Sequence, residues 1–434
     1  MDDLKKIANA AIGALVRAGA EQAECAVKLV SNRESNALGR DVYLLREMDT
    51  YSVYMAGHIG KRAANITINA TDEEAIEKAA GACMDMAKSG GESKEEAEMK
   101  AATHMPLEVA PGTEQCAEAD FGRFYRLFED YLRFIAENHP DIVVDSSIHH
   151  KKISSFYVNT KGEEEEKEGV VCTSCFEFVA VTDEAGTGKV SVYVSLVDAQ
   201  TPLAEKTELA EGIEKARKMV GAQELSGEQF YGTLVIDPGF AGYYIALAMN
   251  IMSEKGEKGE TVSLSPEIAQ YTLYSNDELD DVVCQRQAPD SVTVYSIEKG
   301  VLVTAGMDED EKKAHKKAME EKDKELREKY KHAYYCTRSG NKTYDELIKS
   351  IDRGILLGYI SGAMPDANGD ISGVAQNSFY IENGEVKHPV AGVMISANII
   401  DLLSNVVGVS KWDIEKSKNK TLTPYIAASG ASIK

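Results

Sequence analysis

Eight histidines are the natural starting point for metal or acid–base chemistry. A helix-borne metalloprotease site needs histidines on one face to hold zinc and a glutamate beside them to activate water, so a His should be followed directly by Glu. Here the histidines are followed by Ile59, Met105, Pro140, His150, Lys151, Lys316, Ala333 and Pro389, which excludes any His-Glu motif. The other local signatures point to ordinary structure. Cys172-Thr173-Ser174-Cys175 has thiol-pair spacing, but on a strand positions i and i+3 point to opposite faces, and no second pair completes four zinc ligands. Gly186-Thr187-Gly188-Lys189 has Val190 where a phosphate loop needs Ser or Thr, and is expected to form a hairpin turn. Asp366-Ala367-Asn368-Gly369-Asp370 has its Gly too early for a calcium loop and no closing Glu, and is expected to be a tight turn. His149 and His150 are adjacent on a predicted strand, so their rings face opposite sides and read as a solvated pair. A rebuilt site using Cys284 or Cys336 as nucleophile near His332 rests on residue type alone.

The chain of 434 residues has 48 Lys plus Arg against 71 Asp plus Glu, and the formal charge of −23 repels phosphate. No direct nucleic-acid contact is expected. The longest apolar-leaning stretch, Ala241 to Met252, is interrupted by Gly242 and Asn250 and is shorter than the ~20 residues of a spanning helix, so no membrane partner is expected. Met1-Asp2-Asp3 has the wrong charge for an export signal. Seven cysteines, an odd number scattered over a long chain, do not resemble a disulfide framework, and the cytoplasm is the expected location.

These residues must be positioned by an α+β fold. An amphipathic N-terminal helix, strand-like runs at 24–30, 42–46 and 51–59, and a helix from Thr71 to Ala87 predict an N-terminal αβ domain over 1–88. Residues 89–110, rich in Gly, Ser, Glu and Lys, read as a linker. A central domain over 111–226 is expected: a helix with Phe121, Phe124 and Phe128, then long strands 141–159 and 170–182 in a curved antiparallel sheet, joined by an acidic loop, 162–169. A mostly β C-terminal domain spans 227–434, opening with a strand at Gly232 to Ile236, the breakers Pro238 and Gly239, and a helix through Tyr243, Tyr244 and Leu247. The Lys/Glu-rich run from Asp308 to Tyr330 predicts an exposed helix with an apolar stripe of Ala314, Ala318 and Leu326. Glu320–Lys324 and Glu325–Lys329 stand at favourable i,i+4 spacing on it.

The segment from Gly358 to Val393 resembles the hallmark of the TldD/PmbA family, the modulator of DNA gyrase or U62-like peptidases. Gly369-Asp370-Ile371-Ser372 leads into a strand, followed by Ile381-Glu382-Asn383-Gly384, Pro389-Val390, and Ala397-Asn398 where the family usually has Gly-Asn. The resemblance implies a C-terminal domain of the TldD/PmbA type. Catalytic TldD-type members carry His-Glu-x-x-x-His on the helix after the strand that opens the last domain, and a further Cys near the C-terminus. By position the motif falls near Ala246, Leu247 and Ile251, none of which can bind metal, and the last cysteine is Cys336. The pattern resembles the TldE/PmbA-type branch with a degenerate active site. It implies a non-catalytic subunit of a zinc-dependent protease, cytosolic and dimeric, with zinc only in a TldD-type partner. Such complexes act in proteolysis and peptide maturation on short or unfolded peptides, and the link to gyrase is indirect. Tyr243, Tyr244, Asn250, Asn377 and Tyr380 are the expected lining for an extended peptide, with no catalytic or metal residue in this chain. The alternative is a stand-alone homodimer that binds peptides without cleaving them.

Overall fold

The computed structural model describes residues 1–91, 113–115, 121–182, 186–192, 203–225, 227, 229–257, 259–283, 291–362, 365–366, 368–413 and 421–434. The chain divides into two compact units, Met1–Arg217 and Lys218–Lys434. Cys284 and most of the expected linker 89–110 lie outside the described residues.

The first unit runs α1 (Asp2–Arg17), β1 (Gln22–Leu38), β2 (Asp41–Ile59), β3 (Arg62–Ile68), α2 (Glu73–Ser89), β4 (Thr113–Gln115), α3 (Phe121–Asn138), β5 (Ile142–Asn159), β6 (Glu164–Thr182), β7 (Gly186–Val192) and α4 (Thr207–Lys218). Among the described residues its strands form one seven-stranded sheet, ordered β3-β2-β1-β5-β6-β4 with β7 also on β6. α1 buries Leu4, Ala8, Ala11 and Leu15, and α2 buries Ile76, Ala80, Cys83 and Met84, against Cys25, Val27, Val53 and Met55 of the sheet. Asp72, one residue beyond the expected Thr71, caps α2 by accepting from the Ala75 N–H at 2.9 Å.

Three sequence expectations differ from the structure. Residues 1–88 and 111–226 do not form separate sheets: β1 pairs with β5 from Glu24↔Asn159 to Leu38↔Asp145, so both stretches belong to one unit, which ends at Arg217. The polar ends of β1 and β2 hide this in the sequence, because a ladder with a neighbour on each side satisfies backbone groups whatever the side chains. Likewise Glu164–Gly169 is strand, paired in register with β5 from Val158↔Glu164 to Ile153↔Gly169, and its acids are balanced by Lys5–Glu166 and Lys167–Glu165 ion pairs. The Gly186-Thr187-Gly188-Lys189 stretch is also ladder, the start of β7 on β6, where a hairpin turn was expected.

The second unit runs β8 (Phe230–Ile236), α5 (Pro238–Glu257), β9 (Gln270–Ser275), α6 (Leu279–Val283), β10 (Val292–Glu298), β11 (Val301–Leu302), α7 (Glu309–Lys329), β12 (His332–Thr337), α8 (Tyr344–Lys349), β13 (Arg353–Leu357), β14 (Tyr359–Ser361), β15 (Asp370–Gln376), β16 (Phe379–Glu382), β17 (Glu385–Pro389), β18 (Met394–Asn398), α9 (Ile399–Ser404), β19 (Val406–Val409), β20 (Thr421–Leu422) and β21 (Ile426–Ile433). A nine-stranded sheet, β14-β15-β18-β21-β8-β13-β16-β17 with β19 on β21, carries α5 and α9 on one apolar face; a five-stranded sheet, β11-β10-β9-β12-β20, is built beside it. Only β8–β13 and β12–β20 pair in parallel among the described strands. Strand exceeds helix, 43% to 33%, and with mostly antiparallel ladders this is an α+β fold.

α7 is capped by the box of Asp308 and Glu311 and is largely exposed, as expected. Its details differ. Ala314 and Ala318 are exposed, and contact is made by Leu326, with Tyr330 beyond the helix, packing on Tyr274. The ion pairs are Lys316–Glu320 and Asp323–Arg327. Asp323 also accepts from the Tyr274 hydroxyl, so a polar residue shares the inward stripe and displaces the small alanines from it.

Candidate functional site at helix α5 and the β15–β18 clasp

Four of the seven residues of β8, Thr233 to Ile236, are held to neighbouring backbones by parallel β13 and antiparallel β21 at once, and Val235 and Ile236 are buried. The strand stops at Asp237, whose Oδ1 accepts from the Gly239 N–H at 3.0 Å, and Pro238 occupies the first helical position, where no N–H is required. α5 turns Ala241, Tyr244, Ile245, Ala248, Ile251 and Met252 into the core. Tyr243, Ala246 and Asn250, spaced i, i+3 and i+7, form its exposed stripe, with Leu247 half-buried beside them.

This placement sorts the expected site residues. Tyr243 is 44% exposed and Tyr244 only 3%, with ring centroids 5.8 Å apart. Burial pushes the Tyr244 hydroxyl up to about 12, against a backbone hydrogen bond from Ile360 that acts the other way. Tyr244 therefore ties α5 to β14, the outermost strand of the sheet, and is a packing residue. Asn377 adopts φ +52° at the turn between β15 and β16, where Gly358 approaches its backbone and the Gly358 N–H donates to Ser378 Oγ at 3.1 Å. Tyr380 is buried. Its hydroxyl accepts from Arg353 Nε at 3.0 Å and donates to Glu382 at 3.2 Å, while the Arg353 guanidinium lies 3.6 Å from the Phe230 ring centroid. The structure thus groups Tyr243, Ala246, Leu247 and Asn250 on one helix face and commits Tyr244 and Tyr380 to internal contacts.

The residues that the sequence reading missed are Phe240 and Tyr359. They stack at 5.4 Å and 21°, with Phe240 36% exposed one turn before Tyr243, giving an aromatic ledge at the start of α5. The spacing Phe240, Tyr243 was visible in the sequence, but nothing local indicated that Tyr359 would join it.

Ile251 carries the last position of the transferred metal motif. It is buried beneath Gly369, close enough that a Cβ there would lie 3.2 Å from Ile251 Cδ1. Gly369 has φ +94° and belongs to the 366–370 turn, which is a tight turn as expected. Asp366 Oδ1 accepts from the Asn368 and Asp370 N–H groups at 2.8 and 2.9 Å, and these bonds, that from Asp370 foremost, hold its carboxyl below the usual range. Asn398 closes the arrangement. Its Nδ2 donates to Asn368 O at 3.0 Å and Asp370 Oδ1 at 2.8 Å, while its Oδ1 caps α9 through Ile400 N and Asp401 N. Beside it Ser372 and Ser396 share a 2.8 Å hydrogen bond across β15–β18. The Asn383-Gly384 turn, φ +52° and +75°, docks on the end of α8 through Asn383 N to Asp352 O and Gly384 N to Ile351 O.

Ala246, Leu247 and Ile251 offer no donor atom, and among the described residues no three His, Cys, Asp or Glu side chains are grouped to hold a metal ion. The other reactive candidates are inert or apart. Cys172 is buried and Cys175 half-buried on opposite faces of β6. His149 and His150 are half-buried, against the solvated pair expected, because Asn32 neighbours one ring and Phe121 of α3 the other. Cys336 is buried, which pushes its thiol up to about 12, and its Sγ donates to Tyr334 O. On the extended strand β12 it is four residues from His332, roughly 13 Å at strand rise, beyond proton-transfer reach.

Residues 290–434 match the PmbA/TldA metallopeptidase C-terminal domain. The C-terminal third of the chain thus carries a TldD/PmbA-type domain. The chain is 32% identical over 80 residues to a "Metalloprotease PmbA homolog" of Buchnera aphidicola, covering 18% of each chain. It is 37% identical over 73 residues to a "Metalloprotease" of Methanothermobacter thermautotrophicus, covering 17% of this chain and 16% of the relative. The chain thus spans less than a fifth of the curated relatives it matches. The fold extends further. A protein of Bacteroides thetaiotaomicron described as a modulator of DNA gyrase has a TM-score of 0.62 at 16% identity, over 100% of this chain and 99% of that one. TldE of Thermococcus kodakarensis has a TM-score of 0.56 at 16% identity, over 97% and 98%.

Proposed function

We propose that this chain is a TldE/PmbA-like, non-catalytic subunit of a zinc-dependent metallopeptidase complex acting on short or unfolded peptides. Zinc is held only by a TldD-type partner, with which the chain forms a cytoplasmic dimer. The observation that carries the reading is the chemistry of α5: the positions corresponding to His, Glu and His are Ala246, Leu247 and Ile251, one exposed, one half-buried and one sealed under Gly369. The likeness to a TldE fold supports it. The exposed stripe of Tyr243 and Asn250, with the Phe240–Tyr359 ledge, gives an extended peptide aromatic surface and a side-chain amide to meet. The alternative, a homodimer that binds peptide without cleaving it, is favoured by the exposed, charge-balanced α7, which the TldD/PmbA resemblance does not account for.

The test is metal content and peptidase activity of the purified chain, alone and mixed with a TldD-type protein of the same genome, on an unfolded peptide. Zinc and cleavage only in the mixture are expected. Zinc at one per chain, or cleavage by this protein alone, overturns the proposal, and peptide binding with no effect on the partner favours the homodimer.

A further inference from the structure

Far from α5 in sequence, a polar row crosses three strands of the first unit. In register, Glu34 of β1 stands directly opposite Arg46 of β2 and His149 of β5, so the three side chains share one sheet face. Glu34, 6% exposed, accepts from Arg46 Nε at 2.7 Å and from Asn36 Nδ2 at 3.1 Å. Asn32, 8% exposed on the same face, sets its Nδ2 3.4 Å from His149 Nδ1, while its Oδ1 is buried with no partner. A buried amide oxygen without a donor is costly, and an asparagine can exchange its oxygen and nitrogen by turning about one bond.

We propose that Asn32 and His149 form a proton-operated amide switch on the β1–β5 ladder. With the ring neutral, Nδ1 has a lone pair and accepts from Asn32 Nδ2, leaving Oδ1 stranded. When Nδ1 takes a proton from solvent it can only donate; the Asn32 amide turns over, Oδ1 accepts the new N–H, and the imidazolium faces the Glu34 carboxylate. The groups facing His149 set when this happens. Burial opposes the charge most; Glu34 across the ladder favours it; Lys151, two residues along the same strand, and Arg46, beyond Glu34, oppose it; and Thr173, opposite on β6, is uncharged. The balance holds His149 below the ordinary histidine value. A depressed histidine contributes stability that is present above its unfolded value near ~6.5 and lost as pH falls towards the folded value, so acid loosens this ladder.

The experiment is ring-nitrogen NMR of His149 and side-chain amide NMR of Asn32 in the full chain from pH 8 to 5, with H149Q for assignment. Expected are Nδ1 unprotonated at pH 7, an Asn32 amide shift with the same midpoint as His149, and a midpoint raised by about one unit or more in N32D, which fixes an acceptor there. Amide-exchange protection across 32–34 and 149–151, corrected for intrinsic rate, should fall by up to about tenfold per pH unit below the unfolded value, and stay flat in H149Q. A proton on Nδ1 already at pH 7, or an Asn32 amide that ignores the His149 midpoint, overturns the switch.

Discussion

Replacing Asn398 with Ala removes four hydrogen bonds at once, two that cap α9 and two that hold the Gly369–Asp370 turn. Loss of an asparagine cap costs about 1 kcal/mol, within a range of ~0.5–2. Each donated bond is worth a net ~0.5–1.5 kcal/mol, with the bond to the Asp370 carboxylate at the upper end. The contributions overlap in one side chain, so the whole is about 2–4 kcal/mol. N398D separates the parts: it keeps the cap acceptors, loses both donors and sets a second carboxylate against Asp370, for about 1–3 kcal/mol that salt partly restores. The chain has one tryptophan, Trp412, whose Nε1 donates to Thr337 O at 2.8 Å, so its fluorescence reports unfolding of the second unit. With a urea slope of about 3 kcal/mol per molar, N398A should lower the midpoint by roughly 1 M at unchanged slope. A shift under about 0.3 M, or N398D as costly as N398A in high salt, would refute the clasp as a structural element.

Three further outcomes follow from single contacts. Gly354→Ala would put a Cβ 2.1 Å from Thr233 O in the parallel β8–β13 ladder, and should cost about 3 kcal/mol or more, read as loss of soluble protein or a lowered urea midpoint. Cys336 should resist a thiol reagent at pH 8 in the native chain and react on unfolding, since burial keeps its thiol protonated; rapid native labelling would reopen the cysteine-nucleophile idea. Asp141 is held below the usual carboxylate range chiefly by its hydrogen bond to Arg217. Its contribution is therefore present above the unfolded value near ~4 and lost as pH falls through the folded one. R217M should move the acid unfolding of the first unit to higher pH, by a modest amount because both groups are partly exposed.

The C-terminal half of the fold was readable where turns are dictated by residue type. Asn383-Gly384 can adopt successive positive φ values and Asp366 can fold its carboxylate onto its own backbone, so those segments announce their geometry locally. The division of the first unit was not readable, because β1 and β5 are joined by backbone ladder between segments separated by a long polar stretch. The extent of β6 was hidden for a related reason: Glu164, Glu165 and Glu166 look like a loop until a neighbouring strand and two lysines are in place. At the candidate site, that Ala246, Leu247 and Ile251 carry no donor atom is a matter of residue type alone. The fates of Tyr244 and Tyr380 could not, since each depends on a partner, Ile360 or Arg353, more than 25 residues away in the chain.

The β1–β5 ladder also bears on how the protein is made. β1 completes its inner edge only when Asp145 to Asn159 arrive, roughly a hundred residues after Leu38 has left the ribosome, a delay of about 5–20 s at ordinary translation rates. For that interval a seventeen-residue strand stands paired on one side only. Nascent chains paused in this window present an open strand edge to one another, and the yield of folded protein should depend on chaperone supply and on codon usage between β3 and β5 more than on anything in the second unit.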